Sequence, residues 1–569
     1  LAARIRALPA AAQEVLNALA VLGKGTNHAI LRGVSGRSMR VVLQGIDELL
    51  RCGFIRDDGS GLRITHDLVR EAAYRSIAGA RRRVLHGRAA SVLRRAKEGQ
   101  PGAIALHYDM AGSKAMAYRY ALRAAEASDR VYAPAETEFF LRMASANAIT
   151  EQQQFYVEER LARFLLRNRR FQEADKLLSR VASRSQANSD VRMWVSAEVD
   201  RLAARGRLGS VPARELIGQL RELAETMGSL KDPDLEVDLL RIIAATAHDV
   251  GDIAIVRDVT EQLVHLATEN ESTAPGIRAL TTAATMTGLY DRVSRGLEYS
   301  ERALVRARQS GDIPTIISAL LARARNRLQS GMLDGARADL DEALALGERF
   351  AVASYAFEVL NDSAVVKMEL GDLDGALDTL DRASMTALEA SALHDMVFVW
   401  TNTSLAYFER GEAERAEEAA MSALSCNASV GAWWGSATAL AVLGLHALER
   451  GQLSEANRCR REILALFEGR DFWVGDFSYA EMFLARLAAV EGEEEKGLAR
   501  LDRAVAAYEG RDALCWSRLQ LERARLLLNL DREEARRTAR RVRARAARAG
   551  ARPLVAKAEA ILDRLMVKE

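Results

Sequence analysis

The sequence predicts an all-α chain, a solenoid of antiparallel helix pairs with a small helix-and-hairpin domain at its N-terminus. Three observations predict this. Ala, Leu, Arg and Glu dominate the 569 residues and proline occurs only 8 times, a composition that costs little in a helix. A short turn, usually opened by glycine, returns about every 40 residues between 251 and 497. Small residues recur at fixed distances from each turn. The chain is too long for one hydrophobic core, and a repeat array escapes that limit because each unit packs on its neighbours.

The N-terminal 77 residues do not follow the period. LPAAAQEVLNALAVLG reads as an amphipathic helix ending at Gly23, HAILRGV as a shorter one, and SMRVVLQGIDELLRCG as a third, opened by Ser38 and closed by Gly53. FIRDD-GSG-LRIT then reads as two short strands around a glycine-rich hairpin. Three helices and a hairpin make a winged-helix pattern, whose third helix can enter DNA. Here that helix carries only Arg40 and Arg51 as basic residues, less charge than phosphate anchoring needs.

The repeats are anchored on GDIAIV (251–256), DRVSRG (291–296), GMLDGA (331–336), GDLDGA (371–376), GEAERA (411–416), GQLSEA (451–456) and GEEEKG (492–497). Seven residues before each anchor stands Ala244, Ala284, Ala324, Ala364, Ser404, Gly444 or Ala485. Five after it stand Val256, Gly296, Ala336, Ala376, Ala416, Ala456 and Gly497, and twelve after it another mostly small series ending in Ala504. Glycine supplies the positive φ of a tight helix–helix turn, and small residues on facing sides let the backbones approach. This spacing resembles the tetratricopeptide repeat, with a period lengthened to about 40 residues by longer helices. NRRFQEA (168–174) and GSKAMA (112–117) read as degenerate members, and GRLGSVPARE (206–215) as a longer loop. The expected division is a winged-helix-like domain over 1–77, linking helices and degenerate repeats over 78–240, regular repeats over 241–510, and capping helices over 511–569.

A second resemblance joins the two parts. LRITHDLVREAAYRSIAGARRRVLHGRAASVL (62–93), together with LPAAAQEVLNALAVLG and LQGIDELLRCGFI, resembles the segment after the ATPase of bacterial signal-transduction ATPases (the STAND class). It is most similar to the large ATP-binding regulators of the LuxR family and relatives of the maltose-regulon activator. The resemblance implies a P-loop ATPase upstream, then a winged helix, then a tetratricopeptide-like sensor array, with DNA bound only through a further domain. It also implies ATP or ADP in the parent protein and oligomerisation on activation. A winged-helix histidine in this class contacts the nucleotide's β-phosphate; His66 is the candidate, with Arg70 one turn on, against the simpler reading that His66 and Asp67 cap their helix. No GxxxxGK[ST] is present, since GKGT at 23–26 lacks the earlier glycine, and no C-terminal helix-turn-helix is recognisable. The chain also begins at Leu1 rather than Met, which is the expectation for part of a longer protein.

Chemistry is sparse. The 8 histidines form no HExxH, the four cysteines no CxxC pair, and no catalytic triad follows from spacing. The expectation is a non-enzymatic cytoplasmic region without metal, cofactor or membrane span, and the net charge of +2 gives no global pull toward nucleic acid. Aromatics concentrate in 398–516, among them Trp400, Tyr407, Trp433, Trp434, Phe472, Trp473, Phe477, Phe483 and Trp516. Projecting groove positions from the anchors selects Arg325, Asn361, Phe398, Thr401, Phe408, Tyr479 and Arg486 as a ligand-binding set. Such a groove suits a small-molecule inducer or a peptide or protein partner; the competing reading is that Trp433 and Trp473 pack between repeats. The segment 532–553 carries nine arginines and two acids, either a nucleic-acid contact or the solvated face of a capping helix. A free-standing scaffold, or the sensor arm of an ATPase-linked cyclase or kinase, fits the same residues.

Overall fold

The computed structural model describes all residues except 24, 58, 60, 97, 98, 229, 271, 469–476 and 567–569. It divides into two compact units, Leu1–Phe164 and Leu165–Glu569.

The first unit opens with α1 (Ala2–Arg6), α2 (Ala10–Leu22), α3 (His28–Ser35) and α4 (Met39–Arg51). Gly23 ends α2 at φ 72°, and the Asn27 side chain accepts from the Ile30 N–H at 2.9 Å to cap α3. Val15, Leu16, Leu19, Leu31, Val42 and Leu49 form the buried core of these helices. Gly45 lets α4 cross α2, since a Cβ there would lie 2.7 Å from the Ala11 carbonyl oxygen. Then β1 (Ile55–Asp57) pairs antiparallel with β2 (Leu62–Ile64), Arg56 opposite Arg63, and Thr26 bridges to Leu62. Helices α5 (Asp67–Ser76), α6 (Gly79–Ala96), α7 (Pro101–Met110), α8 (Lys114–Arg130) and α9 (Pro134–Asn147) follow, and α10 (Glu151–Arg167) spans the boundary.

The second unit is a tetratricopeptide-like solenoid. After α11 (Phe171–Ala187), α12 (Val191–Leu208) pairs with α13 (Ala213–Met227), α14 (Pro233–Val250) with α15 (Ile253–Glu269), and α16 (Ala274–Tyr290) with α17 (Val293–Ser310). Next come α18 (Ile313–Ser330) with α19 (Leu333–Arg349), α20 (Ala356–Leu370) with α21 (Leu373–Glu389), and α22 (Leu393–Arg410) with α23 (Ala413–Val430). The series continues with α24 (Trp433–Glu449) and α25 (Leu453–Phe467), α26 (Phe477–Val490) and α27 (Glu494–Tyr508), and α28 (Ala513–Leu527) and α29 (Arg532–Ala549), and closes on α30 (Arg552–Met566).

The expected turns are present. Gly251, Gly331, Gly371, Gly411, Gly451 and Gly492 all have φ between 71° and 86°. The small residues meet as the spacing requires: a Cβ on Gly296 or Gly497 would lie 2.8 Å from the carbonyl oxygen of Ala284 or Ala485, the residues seven before the same turns. Helices of 14 to 18 residues account for the lengthened period. One expectation is corrected. Residues 206–215 hold no long loop; Gly209 (φ 65°) and Pro212 make one more short turn between α12 and α13.

First helices of successive pairs pack on one another, as α14 does on α16, α16 on α18 and α24 on α26, while second helices make no comparable contact among the described residues. The first helices therefore line the inner face and the second helices splay outside. An ordinary solenoid contacts only its neighbours. Here α12 also touches α22, α14 touches α24, α18 touches α28 and α20 touches α30, each ten helices further on. Five helix pairs thus complete one superhelical turn, and successive turns meet along a seam. No helix among the described residues is long and apolar enough to cross a membrane.

Candidate binding face and its seam

The inner face carries a band of alternating charge. Arg241 of α14 bonds Thr282, and Arg278 of α16 pairs with Asp234 and Asp238 at 2.9 and 3.2 Å. Arg325 of α18 pairs with Asp362 of α20 at 2.6 Å and remains 38% exposed. Arg207 of α12 bonds Glu358 at 2.8 Å and Asp395 at 2.6 Å, with 35% of its side chain still open to water. An apolar cleft of about 280 Å³ opens between α18, α19 and α20, lined by Ile317, Leu344, Val352, Tyr355 and Val359. Tyr355 links the two, because it lies close enough to Arg241 to favour that guanidinium's charge. Burial opposes the Arg241 charge, and Tyr355 and Asp238 raise its pKa again.

The seam has its own rule. The residue two before the turn glycine is Arg207, Asp249, Glu369 or Glu409 in four of the pairs, and each reaches the next superhelical turn. Arg207 meets Asp395, Asp249 meets His394 Nε2 at 3.0 Å, Glu369 meets Arg518 at 2.7 Å, and Glu409 meets Lys557 at 2.7 Å. Asp395 is fully buried and also holds Arg169. Burial alone would raise the Asp395 pKa, yet the Arg207 charge, the His394 hydrogen bond and Arg169 hold it well below the carboxylate range. Burial likewise opposes the His394 charge, and Asp249 and Asp395 overcome it, lifting its pKa to about 9. Trp434 Nε1 donates to Asp249 Oδ1, and Trp433 Nε1 to the His248 carbonyl, both at 3.1 Å. Gly331 rests against Ala513 and Ala549, and Gly371 against Arg552 and Pro553, so the turn glycines lie close to the next superhelical turn.

The seven residues projected onto the groove fall into different surroundings. Arg325 lies in the charged band. Asn361 is buried and accepts from Asn402 Nδ2 at 2.8 Å; Thr401 is buried beside it in sequence from Asn402. Phe398 stacks on Trp434, centroids 4.0 Å apart. Phe408 lies between His446 and Tyr479, and the buried Tyr479 donates its hydroxyl proton to Glu409 at 2.9 Å. Arg486 makes a two-pronged pair with the buried Glu522, at 2.9 and 2.7 Å. Trp433 is buried against Phe477, centroids 4.5 Å apart; Phe472 and Trp473 lie outside the described residues.

In the first unit His66 occupies the N-cap position of α5 without a side-chain capping bond, and Arg70 lies 3.6 Å from the exposed Asp67. Spacing did not single out a buried chain nearby: Tyr74 Oη to His86 Nε2 and His86 Nδ1 to His107 Nδ1, both 2.9 Å. Burial, with the His86 charge, pushes His107 down to about 4. The seam residues also escaped notice, although an ionisable residue two before the turn glycine was a visible signal. Among the described residues no group of three or more His, Cys, Asp or Glu is placed to hold a metal.

No protein-family model matches the chain, and no curated protein matches it by sequence. Solved structures are similar to it in fold. A STAND signal-transduction ATPase with a tetratricopeptide repeat sensor from Pyrococcus horikoshii aligns with a TM-score of 0.34 and 14% identity, over 81% of this chain and 64% of that one. The chain thus spans less than two thirds of that protein's length. A Rap protein solved with competence and sporulation factor gives a TM-score of 0.40 and 12% identity, over 67% and 99% of the two chains. The quorum sensor NprR from B. thuringiensis gives 0.39 and 16%, over 63% and 98%. Likeness at this level extends no further than helical-repeat architecture.

Proposed function

We propose that the chain is the non-catalytic sensing region of a STAND-type regulator of the LuxR family, and that its inner face binds a peptide or a small-molecule inducer. The observation that carries the binding reading is the apolar cleft between α18, α19 and α20, with Tyr355 on its wall and close to the charge of Arg241. A ligand with one apolar group and one ionised end would fill the cleft and exchange ion pairs with Arg325 or Arg207. The regulator reading rests on the order of elements, three helices and a hairpin before a solenoid, and on the resemblance of residues 62–93. In it residues 1–77 act as a winged helix beside an upstream ATPase, His66 and Arg70 face that ATPase's nucleotide, and DNA is reached through another domain. Ligand binding would bias a switch only as far as it favours one state of the array over another.

The test is a thermal-shift screen of peptides and metabolites against the full chain, followed by calorimetry with any hit. Val352→Trp, which fills the cleft, and Arg325→Gln should each weaken binding while circular dichroism stays unchanged. Unaltered affinity in both variants would overturn the assignment of the site.

A further inference from the structure

At four places the seam is closed by an ionisable residue two before the turn glycine. Before Gly331 that residue is the neutral Gln329, and its amide oxygen lies against Gly288 of α16 rather than across the seam. At this place a cleft of about 260 Å³ remains between the turn at Ser330 and Gly331 and the helices of the next superhelical turn, lined there by Ser517, Arg545 and Arg548.

Arginines of three first helices have a carboxylate: Arg325 has Asp362, Arg486 has Glu522, Arg518 has Glu369. Arg545 and Arg548 have none within ion-pair distance among the described residues, nor does their neighbour Arg541. Arg541 and Arg545 instead stack over the buried Trp516 ring, 4.9 and 4.7 Å from its centroid. That stacking holds the Arg545 fork half-buried at the cleft. Burial and then the charges of Arg541 and Arg548 press the Arg545 pKa down, and the acids that act against this, Glu509 and Asp512, do not cancel them. Asp512 is engaged as the cap of α28, accepting from the Leu514 and Cys515 N–H groups at 2.9 Å. The cleft therefore has positive charge, volume and a preset guanidinium, and lacks the acid that the chain supplies elsewhere along the seam.

We propose that this cleft binds a small phosphate-bearing anion, held by Arg545 and Arg548, which completes the seam between the turn at Gly331 and the next superhelical turn. Two guanidinium forks three residues apart on one helix suit the several oxygens of a phosphate or pyrophosphate better than a single carboxylate. The proposal is independent of the inner-face reading, because no residue is shared between the two sites.

Pyrophosphate is the probe, titrated into the full chain by calorimetry at physiological salt, with inorganic phosphate as a second arm. Binding should weaken by about tenfold or more in Arg545→Gln and in Arg548→Gln, each of which removes charge-assisted hydrogen bonds. Arg548→Gln is exposed and touches no partner, so it serves as the variant with an intact fold. Arg543→Gln, on the opposite side of α29, should leave the affinity unchanged. Two results would overturn the proposal. One is no binding at millimolar pyrophosphate; the other is an equal loss in Arg543→Gln, the behaviour of a general basic surface that would take nucleic acid as readily.

Discussion

Arg207 Nη1 donates to Asp395 Oδ1 at 2.6 Å across 188 residues of sequence, joining the first turn of the superhelix to the second. The same carboxylate is fully buried and holds Arg169, itself 6% exposed. Removing it would leave the buried Arg169 without its close partner and Arg207 with Glu358 alone. Asp395→Ala should therefore destabilise the second unit by roughly 3–5 kcal/mol, read by urea unfolding. Asp374→Ala, which removes an exposed outer partner of Arg410, should change stability by less than about 0.5 kcal/mol.

His394 makes the seam sensitive to alkali. Its folded pKa is raised to about 9, against an unfolded value of about 6.5. A raised pKa contributes stability that is fully present below the unfolded value and is lost as pH rises through the folded one. The thermal midpoint should accordingly fall between pH 7 and pH 10, and His394→Gln should flatten that fall. An unchanged slope in the variant would assign the alkaline loss to other groups.

His107 acts in the opposite direction, in the first unit. Burial and His86 depress it to about 4, so the neutral ring stabilises the fold above about pH 6.5 and this contribution fades as pH falls toward 4. His107→Gln should lower stability at pH 7 and weaken its dependence on acid, measured by tyrosine fluorescence or hydrogen exchange in residues 74–108.

Arg486 and Phe408 should part company in mutation. Arg486→Ala leaves Glu522, 2% exposed, with Arg525 alone as counter-ion and should be destabilising, with Glu522→Gln in the same chain recovering part of the loss. Phe408→Ala removes a half-buried ring beside His446 and Tyr479 and should cost less than the ~3–5 kcal/mol of a fully buried Phe→Ala change. Equal losses on denaturant titration would contradict the geometry of the Arg486–Glu522 pair.

The repeat was legible because it is written in backbone requirements. A positive φ demands glycine at Gly331 or Gly371, and close helix approach demands Gly296 or Ala336, whatever the array binds. The inner face was legible only in part. Spacing placed Arg325 at the charged band, and it also selected Asn361, Thr401 and Tyr479, all of which are buried. Groove positions follow from local periodicity, whereas the partners that bury them come from other repeats, Asn402 for Asn361 and Glu409 for Tyr479, and the seam pairs lie 145 to 188 positions apart. No window of sequence encodes that distance; it arises from the number of helix pairs in one superhelical turn. His86 and His107 escaped for a similar reason, since their meeting depends on how α6 and α7 cross.

The five-pair pitch has a bearing on how such an array can change over generations. A solenoid that touches only its neighbours can gain or lose one unit with little penalty elsewhere. In this chain, deleting one helix pair between α14 and α22 would put α24 and α26 where α22 and α24 now meet Asp249 and carry His394 away from it, setting buried charges against the wrong partners. Unit number is therefore held by charge register as well as by end caps, and viable length variants would come in steps that keep each seam residue opposite its counter-ion.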